Sequence, residues 1–270
     1  MIRNELKDVQ NFKDQRGIDI QKVGVKNVEV PLCIQRKSDS EQIVSARATM
    51  SVSLPKDYKG THMSRFMEIL SDWGQKNLLG VDLKGCLLEI TDKLSAKSAE
   101  LKFEFKYFID KKAPVSGLLC PMGYECTFEG ILNKSNYSFI LGISVPVTTL
   151  CPCSKEISDY GAHNQRTMVN IKVSYDPDTM IWIEELAELA ENCGSSPIYP
   201  ILKREDEKFV TEKAYNNPKF VEDVLRDVVT ELRKLDNINW FEVDCEAFES
   251  IHNHSAWAYQ EESRDNYIEL

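Results

Sequence analysis

The sequence predicts an α+β fold built from two units in tandem, each an antiparallel sheet with helices. Apolar and polar residues alternate in the predicted strands, as in ELKFEFKYFI (100–109), which gives such a strand one buried and one solvated face. The helices come in blocks between groups of strands and do not alternate with them one for one, which favours α+β over a doubly wound parallel sheet. The order of elements is similar in the two halves, which join near 112–136.

The first half is predicted to contain several strands and one helix. Strand-forming residues concentrate in five segments, at 23–34, 42–54, 86–94, 100–109 and 124–132. The helix is expected over 61–77, with Thr61 as its N-cap. Apolar residues fall at helical spacing within it, namely Phe66, Ile69, Leu70 and Trp73.

The second half is predicted to contain strands at 138–147, 167–175 and 239–250. One helix is expected over 180–194, where Gly194 is the stop signal, and another over 218–235. The second helix has an apolar face made of Phe220, Val224, Leu225, Val228 and Leu232. We therefore expect one bimodular domain over 1–270, with module 1 at about 20–130 and module 2 at about 137–265.

Composition and charge exclude several classes of function. The net charge is −10, which argues against nucleic acid as a partner because phosphate binding needs a basic face. No apolar run approaches the ~18 residues of a membrane span, and residues 1–20 lack the apolar core of a signal peptide. We therefore expect a cytoplasmic protein with no membrane partner, whose eight cysteines are reduced and mostly buried.

The segment Pro146–Arg166, PVTTLCPCSKEISDYGAHNQR, concentrates reactive side chains in what we expect to be a non-helical connection. It contains Cys151 and Cys153 on either side of a proline, followed by His163. Thiolate and imidazole are preferred ligands of zinc-class metals. A structural site needs four such ligands, and the chain has no second CxxC, so a catalytic site made of Cys151, His163 and one distant carboxylate or histidine is favoured. The alternative is that one or both cysteines are inert packing.

Two carboxylates in the second half are further candidates. Glu207 lies in the charged run 201–215, which is typical of a solvated face, and it is equally a candidate metal ligand or base. Glu222 lies between Phe220 and Val224, so we expect it to face apolar surroundings. A buried carboxylate needs a partner, and the N–H edge of a guanine-type ligand or a nearby arginine would serve.

The remaining candidates suit proton transfer and phosphate recognition. Glu249 and His252 stand three residues apart, and they suit proton transfer near neutral pH if they converge on one site. Lys155 and Arg166 flank the cysteine and histidine elements and are our candidates for binding phosphate. Because the chain has neither GxxxxGK[ST] nor GxGxxG, a triphosphate would be held by side chains and loop amides.

Four motifs together resemble the type IB GTP cyclohydrolase I family: GTHMSRF, the segment PVTTLCPCSKEISDYGAHNQR, the segment YPILKREDEKFVTEKAYNNPKFVEDVLRD, and ESIHNHSAWA. The resemblance extends from VGVKNVEVP to HNHSAWA. It implies a tunnelling fold with tandem antiparallel-sheet-plus-helix modules in one subunit, and a homotetramer with active sites at subunit interfaces. It also implies conversion of GTP and water to 7,8-dihydroneopterin triphosphate and formate, the first step of tetrahydrofolate biosynthesis.

The resemblance also implies roles for individual residues. The motifs match metal ligands onto Cys151, His163 and Glu207, with a divalent metal, zinc or manganese, whose open position would activate water for attack at C8 of guanine. Glu222 matches the anchor of the guanine edge, and the residues expected to assist proton transfer are Cys153, Glu249 and His252. Two alternatives remain: another tunnelling-fold enzyme of purine or pterin chemistry, and a non-catalytic module that senses thiols or metals.

Overall fold

The computed structural model describes residues 10, 12–74, 77–78, 83–134, 136–175 and 179–264. Contacts divide the chain into two compact units, one drawn from residues 1–105 and 127–139, the other from 106–126 and 140–270. Within the described ranges, no helix has the length and apolar character that crossing a membrane requires.

Unit 1 is an antiparallel sheet with two helices. Its elements are β1 (Ile20–Gln35), β2 (Glu41–Leu54), α1 (Met63–Gly74), β3 (Asn77–Leu78), α2 (Leu83–Leu94), the first part of β4 (Ser98–Lys112), the second part of β5 (Leu119–Asn133) and the start of β6 (Asn136–Leu150). The strand order begins β3-β1-β2-β4, and β2 pairs antiparallel with both β1 and β4. The short β3 is parallel to β1.

Unit 2 holds the remaining parts of β4, β5 and β6 and all later elements. These are α3 (Pro152–Ile157), β7 (Asn164–Tyr175), α4 (Ile183–Cys193), β8 (Ser196–Pro197), α5 (Arg204–Asn216), α6 (Val221–Arg233), β9 (Ile238–Ala247) and β10 (Ala256–Ser263). The strands follow the order β4-β5-β6-β7-β9-β10, with β8 beside β6. The pairs β6–β7, β7–β9 and β9–β10 are antiparallel, which confirms the α+β class.

Each unit has an apolar core between its helices and one face of its strands. In unit 1, the buried faces of α1 and α2 include Phe66, Ile69 and Leu87, while alternate residues of β2 such as Met50 are buried. In unit 2, α6 contacts β9, and their buried residues include Val224, Val228, Leu232, Phe241 and Val243. Apolar residues recur every second position in the strands and about every 3.6 positions in the helices, so the apolar faces of both point into the core of the unit. All eight cysteines are free, and five of them are buried as expected: Cys33, Cys86, Cys126, Cys193 and Cys245.

The prediction of a strand at 86–94 was wrong, because this segment belongs to helix α2. Its buried residues Leu83, Cys86, Leu87 and Ile90 follow the spacing of one helical face, and Leu83 lay outside the predicted segment. Thr61 is not the N-cap of α1, because that helix begins at Met63. The helix was predicted to extend to residue 77, whereas α1 ends at Gly74 and Asn77 belongs to β3; residues 75–76 lie outside the described residues.

Three expectations for the second half also need correction. The CPC segment is not entirely non-helical, because α3 begins at Pro152, where the fixed φ of proline suits the first helical position. The charged run 201–215 contains helix α5, which the sequence did not predict because the run has no apolar stripe. The strand β10 was also missed. The other predicted strands and helices of this half are confirmed within a few residues at each end.

Candidate active site

Cys151 and His163 lie side by side where β6 ends and β7 begins. The antiparallel register pairs Leu150 with Asn164, and the Cys151 N–H donates to the His163 carbonyl at 3.1 Å. The strand pairing therefore joins the two candidate ligands, which the sequence separates by α3 and a loop.

Ser154 ties the two residues together through its backbone and side chain. Its N–H donates to Cys151 Sγ at 3.4 Å, and its hydroxyl donates to the Cys151 carbonyl at 3.2 Å. The same hydroxyl oxygen accepts from the His163 N–H at 3.2 Å. Cys151 is the N-cap of α3, while Cys153 is exposed within the helix. The Cys151 thiol is therefore held in place, and the Cys153 thiol is open to solvent.

Buried polar groups hold the residue that precedes Cys151. The Leu150 N–H donates to the hydroxyl of fully buried Ser195 at 3.1 Å, and the Leu150 carbonyl accepts from the Lys219 N–H at 3.0 Å. Asn217 Nδ2 donates to the carbonyls of Gly194 and Ser195 at 3.1 and 3.3 Å. These bonds fix the end of β6 relative to the segment that leads into α6.

Gln165 links His163 to Glu249. Its Oε1 lies 3.0 Å from His163 Nδ1, and its Nε2 donates to Glu249 Oε1 at 3.3 Å. The second Glu249 oxygen is 3.9 Å from the same imidazole nitrogen, and the His163 and Glu249 side chains are largely buried, at 17% and 16% exposure. The sequence did not single out Gln165, although it lies in β7 only two residues after His163, which immediately precedes that strand.

The structure does not bring Glu207 to Cys151 and His163. Glu207 is in the first turn of α5, and its side chain is exposed. Across the part of the chain that the structure describes, no three His, Cys, Asp or Glu side chains are grouped so as to hold a metal ion. The available thiol, imidazole and carboxylate are nevertheless the donor types that a zinc-class metal takes.

Glu222 is exposed, so the expectation that it faces apolar surroundings was wrong. It is the second residue of α6, whose inward-facing residues are Val221 and Val224. Successive residues of a helix point about 100° apart, so apolar neighbours in sequence do not bury a residue between them. The first turn is held by Asp223, which accepts from the Phe220 N–H at 3.0 Å. Glu222 therefore points outward from a fixed turn.

The two candidate phosphate ligands differ in their surroundings. Lys155 Nζ lies 4.3 Å from the centroid of the Tyr215 ring and donates to the Tyr215 carbonyl at 2.5 Å. Arg166 is exposed on β7, opposite Thr148 of β6 in the strand register. Arg166 is thus solvent-accessible in the single chain. Lys155, by contrast, would have to break its contacts with the Tyr215 ring and carbonyl before it could bind a phosphate.

The two residues predicted for proton transfer have different contacts. Glu249 accepts from Gln165, whereas the exposed ring of His252 stacks on His254, with centroids 5.0 Å apart. The common site proposed for Glu249 and His252 stays a prediction.

A family model described as "Type I GTP cyclohydrolase folE2" matches residues 6–258. The chain belongs to the type I GTP cyclohydrolase FolE2 family. Curated relatives named "GTP cyclohydrolase FolE2" support this assignment. The relative from Geotalea uraniireducens is 53% identical over 253 residues, covering 94% of this chain and 92% of that protein. The relative from Dictyoglomus turgidum is 51% identical over 253 residues, covering 94% and 96%.

Membership of the FolE2 family makes the chain a GTP cyclohydrolase and leaves the two alternative functions without support. Among solved structures, the chain is similar to uricase from Arthrobacter globiformis, with a TM-score of 0.54 and 9% identity over 93% of this chain and 96% of that one. Urate oxidase from Bacillus subtilis 168 gives a TM-score of 0.56 and 9% identity over 92% and 100%. At such identities the similarity concerns the fold alone, and it confirms the tunnelling fold.

Proposed function

We propose that this FolE2-family chain converts GTP and water to 7,8-dihydroneopterin triphosphate and formate, as the first step of tetrahydrofolate biosynthesis in the cytoplasm. Family membership supports the substrate. The observation that carries the mechanism is the junction of Cys151 and His163, whose backbones are joined by a hydrogen bond of 3.1 Å. This junction supports the proposal because it brings the backbones of a thiol residue and an imidazole residue together, beside a Ser154 that hydrogen-bonds to both.

We propose Cys151, His163 and Glu207 as the ligands of a divalent metal, zinc or manganese. The donor chemistry supports this set, because the Gln165 contact engages His163 Nδ1 and leaves Nε2 for the metal. A metal bound there would lower the pKa of a water and so supply a nucleophile near neutral pH. Because the exposed Glu207 side chain does not form a group with Cys151 and His163 in the single chain, we propose that it joins them by a side-chain movement or from a second copy.

Other side chains would bind the substrate and move protons. The carboxylate of Glu222 is exposed on the fixed first turn of α6. It suits the N–H edge of guanine, because its two oxygens can accept two N–H hydrogen bonds side by side. Arg166 and Lys155 would bind the triphosphate. Glu249, His252 and the exposed thiol of Cys153 would transfer protons during ring opening and release of formate.

We propose that the two units are the modules of one bimodular domain, and that four chains form a homotetramer with active sites at subunit interfaces. Large apolar side chains close in sequence to the site residues support this assembly. Ile157 is 83% exposed, Tyr160 100%, Phe248 48% and Ile251 62%. We expect another copy to cover these side chains, because contiguous apolar surface is typical of interaction sites. The scattered site residues also support a site completed between copies.

The proposal is tested by incubating the protein with GTP and measuring formate, together with the fluorescent pterin that forms after oxidation. Wild-type protein is expected to produce both. Cys151→Ala is expected to lose turnover with its circular dichroism spectrum unchanged, because a thiol ligand is removed from an already half-exposed position. Cys120→Ala is the matched control and should keep wild-type turnover. Turnover by the Cys151→Ala protein would contradict the ligand role.

A further inference from the structure

The Asp206 side chain is fully buried and accepts four hydrogen bonds. Its Oδ1 accepts from the N–H groups of Val115 and Ser116 at 2.8 and 2.9 Å. Its Oδ2 accepts from the Ser116 hydroxyl at 2.6 Å and from the Lys203 N–H at 2.9 Å. A buried carboxylate is stable only when its oxygens are satisfied in this way, and the donors here are neutral groups.

Helix α5 has few other anchors. Of its 13 residues, only Asp206 and Ala214 are buried. A helix of a globular protein is normally held by an apolar stripe along its length, which α5 lacks. The position of its first turn therefore depends on the hydrogen bonds of Asp206.

Three of the four groups that donate to Asp206 come from the hairpin loop between β4 and β5, and the fourth, the Lys203 N–H, belongs to the N-cap residue of α5. The Ala113 N–H donates to the Leu118 carbonyl at 2.9 Å, and the Gly117 N–H donates to the Ala113 carbonyl at 3.2 Å. Gly117 adopts a φ of 70°, in the region that favours glycine. A second contact joins the same hairpin to the segment before α5, because Lys111 Nζ lies 4.7 Å from the centroid of the Tyr199 ring.

We propose that Asp206 is a positioning residue that fixes Glu207 for metal binding. Asp206 and Glu207 are consecutive in the first turn of α5, so when the Asp206 side chain is bound inward the Glu207 side chain is directed to solvent. Because hydrogen bonds already occupy both Asp206 oxygens, Asp206 is not itself a ligand. The 113–118 loop thus removes Asp206 from the candidate ligands of the run Glu205, Asp206 and Glu207, and it holds the helical turn that carries Glu207. This inference rests on the proposed role of Glu207.

The first test measures Zn²⁺ affinity of the intact protein by competition with a chromogenic chelator. Asp206→Asn and Ser116→Ala are expected to weaken Zn²⁺ binding about 10–100-fold, the usual effect of removing a group that orients a ligand. Ser116→Thr keeps the hydroxyl and should bind Zn²⁺ more tightly than Ser116→Ala. Glu212→Gln removes an exposed carboxylate from the same helix and should match wild type.

The second test places Asp206→Asn in a Glu207→Gln background. If Asp206 acts through Glu207, the Asp206→Asn change causes no further loss of Zn²⁺ affinity there. Additive losses would overturn the proposal, as would an Asp206→Asn protein that binds Zn²⁺ within twofold of wild type. If circular dichroism shows that the Asp206→Asn protein does not fold, the Zn²⁺ affinities of Ser116→Ala and Ser116→Thr are compared in both backgrounds by the same criteria. Wild-type Zn²⁺ affinity in Glu207→Gln alone would instead refute Glu207 as a ligand.

Discussion

Gln165 determines which nitrogen of His163 is available to a metal. An ionised carboxylate only accepts hydrogen bonds, so the contact with Glu249 at 3.3 Å orients the Gln165 amide with its nitrogen towards Glu249. The amide oxygen then accepts from His163 Nδ1–H at 3.0 Å. The second imidazole nitrogen, Nε2, is then the one left for a metal. The His163–Gln165–Glu249 chain therefore fixes the orientation of the His163 ring.

Replacing Gln165 with Ala is expected to weaken Zn²⁺ affinity about 10–100-fold, because His163 loses the acceptor that fixes its tautomer and ring orientation. The circular dichroism spectrum should be unchanged, since the side chain is only half-buried. Gln260→Ala, a change of an exposed glutamine on β10, is the control. Equal Zn²⁺ affinity in the Gln165→Ala and wild-type proteins would show that the amide does not orient the histidine.

The sequence identified Cys151 and His163 because thiol and imidazole in one loop form a distinctive motif. It did not identify Gln165, because a glutamine carries no metal-binding signal and acts here only through its neighbours. The surroundings of Glu222 were mispredicted because sequence neighbours on a helix point in different directions. The role of Asp206 was also invisible, since its donors Val115 and Ser116 come from a distant hairpin.

Among the elements, the long alternating strands were predictable, whereas the helices α2, α3 and α5 were not. The run 86–94 has the residue types of a strand, and its helical spacing becomes clear only when Leu83 is included. Helix α5 has no apolar periodicity, and it is held by Asp206 and the hairpin loop. An element with a regular apolar face can therefore be recognised from its sequence pattern. Helix α5 cannot, because hydrogen bonds to a distant hairpin stabilise its position.

The last turn of α6 is joined to β10 by an ion pair. Arg233 Nε donates to Glu262 Oε2 at 2.9 Å, and an Arg233 Nη nitrogen donates to Oε1 at 2.7 Å. Glu262 is 8% exposed. The Arg233 hydrogen bonds, which outweigh the opposing effect of burial, hold the pKa of Glu262 below its usual range. The bidentate geometry fixes β10 against the helix.

This pair predicts a pH dependence of stability. Because the folded-state pKa of Glu262 is depressed, its contribution is fully present above the unfolded value near 4.5 and is lost as the pH falls through the lower folded value. Glu262→Gln is expected to reduce the free energy of unfolding at pH 7 by about 1–3 kcal/mol and to flatten its decline between pH 6 and 3.

Urea unfolding at a series of pH values measures both effects. Glu231→Gln, which removes from the same helix a half-exposed carboxylate paired with Lys234, should change the free energy of unfolding by no more than about 0.5 kcal/mol. A Glu262→Gln protein with the wild-type pH slope would contradict the role of the ion pair.

At the scale of the whole molecule, the apolar side chains Ile157 and Tyr160, which follow the CPC motif, are the expected sites of contact between copies. A charged side chain there would have to be buried without a partner, which strongly destabilises an interface. Ile157→Asp is therefore expected to shift sedimentation from about 124 kDa, four times the chain mass of 30.9 kDa, to smaller species, with loss of GTP turnover.

Leu88→Asp, at an exposed position of α2, is the control for this change and should keep the tetramer. The Ile157→Asp chain should keep its circular dichroism spectrum, because the wild-type side chain is 83% exposed in the single chain. A fully active Ile157→Asp tetramer would place the interface elsewhere.

We propose that the chain opens the guanine ring of GTP with a metal held by Cys151, His163 and Glu207. The most direct measurement strips the protein of metal, adds Mn²⁺ or Zn²⁺ back in separate titrations, and follows formate released from GTP. We expect no formate from the stripped protein, and formate that rises with added metal until one ion is bound per chain. Formate release that persists in the stripped protein with chelator present would contradict this metal-dependent reaction. So would a failure to release formate with either Mn²⁺ or Zn²⁺.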